Sequence, residues 1–174
     1  MKNLYQVFSK NRYNKRLIKR NLILDKLRGK KFFTNDDLNS ILSYLGLPEH
    51  DEYNGPMPTV MDLTEASFTA TDLRKKINML KGISGVNLIV ASSILAFQDP
   101  YRYAGVSFPV WNFLSRDTKS NIKKIKVDRD FNRDFSVNDY QAYLDIIKSL
   151  CNEHGMRPVD VQFALEMMAE EDRR

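Results

Sequence analysis

Apolar residues recur at helical spacing along most of the chain. From residue 13 to residue 27 they fall on one stripe while Lys and Arg fill the opposite face, which predicts an amphipathic N-terminal helix. A second stripe follows Thr34, whose side chain suits a helix N-cap, and it ends at Gly46. The two stripes consist of Tyr13, Leu17, Ile18, Leu22, Leu24 and Leu27, and of Leu38, Ile41, Leu42 and Leu45.

Residues 46–68 are interpreted as a loop region because prolines and glycines cluster in their first half. A third helix is predicted to begin near Thr69 or Thr71, with Thr69 and Asp72 as a capping box, and to stop at Gly82. Residues 88–97 are apolar on almost every side, which predicts the central helix of the domain.

The C-terminal part of the chain predicts three more helices. The first covers 107–116 with Pro109 in its first turn, the second is capped by Ser136 and closed by Gly155, and the third opens at Pro158. Residues 117–134 are charged and weakly periodic, and no element is predicted there. The predicted fold is all-α, one compact domain over 1–174 with basic helices over 1–46, two helices joined by a tight turn over 69–97, and C-terminal helices over 107–174.

Composition excludes several classes of protein. The 174 residues have the size of one ordinary domain, and the single Cys151 excludes an internal disulfide and a Cys/His zinc site, so no metal is predicted. The longest apolar run is too short to span a bilayer, and the N-terminus lacks the apolar stretch of a secretory signal. We therefore expect a cytoplasmic protein with no membrane partner.

Positive charge is concentrated at the N-terminus. Residues 1–31 hold eleven Lys and Arg and one acid, so they carry +10, whereas the whole chain carries +5 and the remainder therefore carries −5. The densest part, Lys15, Arg16, Lys19 and Arg20, is a candidate basic surface for a polyanion. A solvated helix face with no ligand explains a basic run equally well.

A tight turn at residues 84–87 is the most informative local feature. Gly85 can adopt positive φ without strain, and asparagine, present at Asn87, is the non-glycine residue that best tolerates the left-handed region. Such a turn directs backbone N–H groups outward at the N-terminus of the next helix, where they suit a phosphate oxygen. Ser84, Gly85, Val86 and Asn87, with Lys81 nearby, are therefore candidate phosphate-binding residues, although a plain packing corner between two helices has the same spacing.

Three blocks of sequence carry a resemblance to a known family. Ile83-Ser84-Gly85-Val86-Asn87, followed by Val90-Ala91, resembles the hairpin of the helix-hairpin-helix DNA glycosylase superfamily. The run from Ala91 to Tyr103, and the later Tyr140, Tyr143 and Leu144 with residues 155–165, resemble a group of bacterial proteins of that fold. The similarity runs from about residue 62 to the end. It implies a compact helical domain of the glycosylase type that binds duplex DNA, with a possible monovalent cation at the hairpin and no other cofactor.

The chain departs from the family at two catalytic positions. Ser107 stands where active members have the Asp that stabilises the cationic sugar, and a serine carries no charge at pH 7. Ile89 stands where bifunctional members have a Schiff-base Lys, so it offers no amine. An acid from residues 46–65 that replaces the missing family Asp is an open alternative. The candidates are Glu49, Asp51, Glu52, Asp62 and Glu65.

Ser107, Phe108 and Trp111 form a candidate base pocket, since aromatic side chains stack on an extruded base. A hydrophobic core explains the same aromatic cluster more simply, with Trp111 as its interior anchor.

Three hypotheses of function follow. The first is a protein that binds duplex DNA independently of sequence and lacks standard base-excision chemistry. The second is a monofunctional DNA glycosylase with a non-standard acid, in which Ser107 orients water. The third is a helical interaction module that does not bind DNA.

Overall fold

The computed structural model describes residues 3–50, 59–116 and 135–172. All regular structure in these three ranges is α-helical, which confirms the predicted all-α class. The helices are α1 (Leu4–Lys10), α2 (Lys15–Leu27), α3 (Asn35–Leu45), α4 (Val60–Thr69), α5 (Leu73–Lys81), α6 (Leu88–Gln98), α7 (Phe108–Arg116), α8 (Val137–His154) and α9 (Pro158–Glu171).

Helix α6 is the centre of the core, as its apolar sequence predicts. Nine of its eleven residues are buried, and it packs against α2, α3 and α5. Two of the buried residues are serines, and both hydroxyls donate to the carbonyl oxygen of Ile89 one turn earlier, at 2.8 Å from Ser92 and 2.9 Å from Ser93. Because each hydroxyl has this partner, burying it costs little free energy.

Most predicted helix ends are confirmed. Thr34 and Ser136 form capping boxes with Asp37 and Asp139, and Pro158 is the first residue of α9. Gly46 and Gly155 end their helices with φ of 72° and 64°, in the left-handed region that favours glycine.

The predicted loop over residues 46–68 is wrong in its second half, where α4 begins at Val60. Thr59 caps α4 through the amide of Asp62, and the preceding prolines are compatible with this start because a helix can begin directly after them. The predicted capping box is also wrong, since Thr69 is the last residue of α4. Asp72 is itself the N-cap of α5 and accepts a hydrogen bond from the amide of Lys75.

The N-terminal stripe also differs from its prediction. Helix α2 begins only at Lys15, and Tyr13 lies in the turn between α1 and α2, where it is 75% exposed. Ile18 and Leu22 are exposed as well, because the buried face of α2 is formed by Leu17, Ile23, Leu24 and Leu27. The segment 117–134 lies outside the described residues. Within the ranges that are described, no helix is both long and apolar enough to cross a membrane.

A buried ion pair joins the basic helix α2 to the start of α9. Arg20 Nη2 lies 2.6 Å from Asp160 Oδ1, and Arg20 Nη1 donates to the carbonyl oxygen of Val159. The second carboxylate oxygen of Asp160 accepts from Arg157 Nε at 2.7 Å. Burial lowers the pKa of Arg20, and the neighbouring carboxylate of Asp160 opposes that shift. The pair therefore fixes the position of α2 relative to α9.

Removing the carboxylate should destabilise the fold. We expect Asp160→Ala to lower the free energy of unfolding by about 3–5 kcal/mol, because Arg20 then keeps a buried charge without its partner. Urea denaturation measures the change. Asp145→Ala, at an exposed position on α8, serves as the control and should stay within about 0.5 kcal/mol of the parent. Equal stability of the two variants would contradict the assigned role of the pair.

The single cysteine on α8 should react slowly in the folded protein. Burial raises the pKa of Cys151 from 9.0 to about 11, and only the thiolate attacks alkylating reagents. At pH 8 we expect iodoacetamide to modify the folded chain about a hundredfold more slowly than the urea-unfolded chain, as measured by mass spectrometry. Because the folded pKa is the higher one, this difference should shrink as the pH rises from 9 towards 11. Similar rates at pH 8 would show that the thiol is not shielded.

Candidate nucleic-acid interface and cavity

A tight turn connects α5 to the buried helix α6. Gly85 has φ of 74°, as predicted, and a Cβ added there would meet no atom within 4 Å. Asn87 does not adopt the left-handed region that its residue type allows, since it is the extended N-cap of α6 with φ of −88°. Its side chain accepts a hydrogen bond from the amide of Val90 at 3.1 Å. The glycine alone therefore supplies the reversal of the chain.

The turn lies on the surface and is anchored by two apolar side chains. Ile83 and Val86 are buried, whereas Ser84, Gly85 and Asn87 are exposed. The amide of Val86 donates to the carbonyl oxygen of Ile83, so this N–H is not available to a ligand. Across the described contacts, the amides of the three exposed residues have no acceptor within the protein. These N–H groups and the positive end of the α6 dipole form a site suited to an anion.

The four residues predicted as a basic surface occupy different environments. Lys15 is exposed, and the exposed Lys19 donates to the backbone and side-chain oxygens of Ser43, both at 3.2 Å. Arg16 is half-exposed. Arg20 is 5% exposed, so its assignment to the surface is wrong: its guanidinium faces inward to Asp160. Lys81, at the end of α5, is exposed beside the turn.

A cavity of about 280 Å³ opens next to this turn. It lies between α2, the end of α3, α6, α9 and the segment that precedes α7. Most of its wall is apolar, and its polar side chains belong to Arg16, Arg20, Tyr44, Asn87, Ser93, Ser107, Gln162 and Glu166.

Short contacts fix the segment that forms one wall of the cavity. The amide of Val106 donates to Ser92 Oγ at 2.8 Å, and the hydroxyls of Tyr140 and Tyr143 donate to the carbonyl oxygens of Ala104 and Gly105. A Cβ on Gly105 would lie 2.8 Å from Ser93 Oγ. A larger residue would therefore require Ser93 or the wall to shift, so the glycine allows this segment to pack closely against α6.

The cavity brings together two of the three predicted pocket residues. Ser107 and Phe108 line it, and so does Ile89, which is far from them in sequence. Trp111 does not line it. Its ring is buried in the core, where it stacks on Tyr143 at 6.0 Å between centroids and meets Phe135 edge-on at 4.9 Å.

Among the described residues, none of the acids that the sequence offers as candidates lines this cavity. Asp51 and Glu52 lie outside the described residues, and Glu49, Asp62 and Glu65 do not line the cavity. Asp62 caps α4 instead, and hydrogen bonds from Thr59 lower the pKa of this carboxyl.

Glu166 on α9 supplies the cavity's carboxylate, and sequence reasoning missed it. Its side chain is 3% exposed, accepts from Gln162 Nε2 at 3.1 Å and lies 3.2 Å from Arg16 Nη2. The available signal was the polar pair Gln162 and Glu166, one turn apart on a helix that is otherwise almost entirely buried. That signal cannot show which cavity the pair faces.

Arg16 connects the cavity to the surface. Its guanidinium lies over the ring of Tyr44, 5.6 Å from the centroid, and reaches Glu170 at 3.7 Å as well as Glu166. Partial burial by itself would lower the pKa of Arg16. The interactions with Glu166, Tyr44 and Glu170 outweigh burial, so the pKa is raised. Burial, followed by the charge of Glu166, raises the pKa of Tyr44.

The described residues contain no cluster of three or more His, Cys, Asp or Glu side chains placed to hold a metal ion. A monovalent cation at the hairpin stays a prediction.

No protein-family model, curated protein or solved structure matches the chain. The resemblance to helix-hairpin-helix glycosylases therefore stays a prediction from the chain's own sequence motifs.

Proposed function

We propose that the chain binds the sugar–phosphate backbone of duplex DNA through the turn at residues 84–87, the adjacent Lys81 and the exposed lysines of α2. The observation that carries this proposal is that the exposed residues Ser84, Gly85 and Asn87, just before the first turn of α6, have amides without an acceptor in the described contacts. A phosphate oxygen accepts hydrogen bonds from such amides and is further stabilised by the helix dipole.

The distribution of charge supports the same ligand. Lys81 is exposed at the turn, and Lys15 and Lys19 are exposed on α2. Arg16 on α2 and Asn87 in the turn line one cavity, so the basic helix and the turn border the same opening. Amides and ammonium groups bind phosphates without reading bases, so the proposed binding is largely independent of sequence.

The proposal extends to a fold of the helix-hairpin-helix glycosylase type without standard excision chemistry. The joining of α5 to α6 by a glycine turn, and the convergence of Ile89 and Ser107 on one cavity, support it. Neither residue supplies a charge or an amine at the positions where active members of the superfamily use them.

Salt dependence tests whether DNA is the ligand. We expect the affinity for a fluorescent duplex, measured by anisotropy, to fall steeply between 50 and 200 mM salt, with a slope of about −0.9 per neutralised phosphate on logarithmic axes. Lys81→Gln should make the slope shallower by about 0.9, because it removes one cation. Binding that is absent, or unchanged over this range, would contradict the proposal and favour an interaction module that does not bind DNA.

A pair of glycine variants tests the turn itself. Gly85→Ala and Gly155→Ala introduce a methyl group at similar positive φ, 74° and 64°, with open space around both, so each should cost about 1 kcal/mol of stability. Only Gly85→Ala should weaken DNA binding, by about tenfold or more, because its methyl group blocks the approach of a phosphate to the amides.

The slope with salt should not change in Gly85→Ala, since no cation is lost. Equal affinities of the two alanine variants would show that the turn does not contact DNA.

The cavity favours a second candidate function, a monofunctional DNA glycosylase that uses Glu166. In this reaction water attacks C1′ of the sugar, the bond to the base breaks, and the base leaves with the proton that water gives up. The buried carboxylate of Glu166 would stabilise the cationic sugar, and the hydroxyl of Ser107 in the same cavity would orient the water.

A panel of duplexes with single damaged bases tests this second candidate. This candidate predicts abasic sites, detected as strand cleavage after alkali, on at least one duplex, and a loss of activity of about a hundredfold or more in Glu166→Gln. The absence of cleavage across the panel would exclude it and leave DNA binding without excision.

A further inference from the structure

Arg16, which belongs to the basic surface predicted from the sequence, differs from the lysines proposed to contact DNA because it has anionic partners within the protein. Lys15 and Lys81 are exposed, whereas the guanidinium of Arg16 lies 3.2 Å from Glu166 and 3.7 Å from Glu170. Its side chain is nevertheless 42% exposed, so a phosphate can approach it from solvent. Arg16 thus stands between a buried carboxylate and the surface proposed to bind DNA.

The two acidic partners of Arg16 are not equivalent. Glu170 is 48% exposed and water screens its charge, whereas Glu166 is 3% exposed. Gln162 gives Glu166 one hydrogen bond, but Arg16 is the cation that compensates its charge in the described contacts. A carboxylate buried without a cation is costly, so Glu166 holds Arg16 far more strongly than Glu170 does.

We infer that Glu166 is an internal competitor of DNA, holding Arg16 away from the phosphate backbone until a phosphate displaces it. This inference rests on the proposed DNA binding and concerns its regulation. When Arg16 turns to a phosphate, Glu166 loses its cation inside the cavity, and that cost weakens the contact. Any change that neutralises Glu166, or supplies it with another donor, releases Arg16 for DNA.

The competition has a signature in the number of counterions released. While Arg16 remains paired with Glu166 it neutralises no phosphate, and the salt dependence of binding lacks its contribution. Once released, it adds one ionic contact, which steepens the logarithmic slope by about 0.9. Over a fourfold change in salt this corresponds to an additional loss of affinity of about 3-fold.

The experiment compares charge-matched variants on the same fluorescent duplex. We expect Glu166→Gln to bind about 2- to 5-fold more tightly at low salt and to show a slope steeper by about 0.9. Its amide oxygen can still accept from Gln162, so the local hydrogen bond is preserved. Glu153→Gln changes the net charge equally at an exposed site paired with His154, and its slope should match that of the parent.

A double variant shows whether Arg16 is responsible. Arg16→Gln/Glu166→Gln removes both charges, so neither residue leaves a buried ion without a partner. The salt dependence of its DNA affinity should have the same slope as that of the parent. Circular dichroism and urea denaturation establish that every variant is folded before binding is measured.

Two results would overturn the inference while the proposed function stands. In the first, Glu166→Gln and Glu153→Gln change the salt dependence of DNA affinity equally. That result would show an effect of net charge alone. The other is a steeper slope that persists in the double variant, which would exclude Arg16 as the released cation. Failure of the parent chain to bind DNA would instead remove the proposed function on which the inference rests.

Discussion

The enclosure of α6 is the constraint on which the rest of the structure depends. A helix that is apolar on nearly every side must be surrounded, and α2, α3 and α5 pack around it. Its first amides still need acceptors, so its N-terminus must reach the surface. Asn87 accepts from one of these amides, and the exposed turn before the helix adds three amides that have no acceptor in the described contacts. The candidate phosphate site is thus a consequence of burying this helix.

Part of the positive charge in the basic N-terminal segment is compensated by buried carboxylates. Arg20 faces Asp160, Arg16 faces Glu166, and two lysines share the buried Asp37. The lysines reach Asp37 at 3.1 Å from Lys26 and 2.8 Å from Lys30. Burial would raise the pKa of Asp37, but hydrogen bonds from Lys30, Thr34 and Lys26 outweigh it and lower the pKa. The basic segment therefore presents fewer free cations than its sequence contains.

The two candidate functions share one opening and differ in the state of one carboxylate. With Glu166 paired to Arg16, the carboxylate in the cavity is compensated by a cation and lies in the same cavity as the uncharged Ser107, which suits a protein that binds DNA without excising a base. With Arg16 drawn to a phosphate, the same carboxylate faces the cavity without its cation. Because one arginine belongs to both surfaces, binding and any chemistry in the cavity are physically linked.

The sequence by itself determined the features that arise from neighbouring residues. The all-α class, the caps at Thr34 and Ser136 and the positive φ of Gly85 follow from contacts within a few positions, and the apolar composition of α6 predicts that this helix is buried. Helix α4 was missed because prolines just before a helix give the same pattern as a loop.

Only the tertiary structure decided which side of each amphipathic helix meets another chain segment. Arg16 and Arg20 lie on adjacent turns of α2. Arg20 is nevertheless buried against Asp160, whereas Arg16 contacts both solvent and Glu166. Their partners lie about 140–150 positions away, and no local pattern specifies a pairing over that distance. The physical reason is that burial and ion pairing depend on how whole helices pack, whereas caps and turns depend on backbone hydrogen bonds between near neighbours.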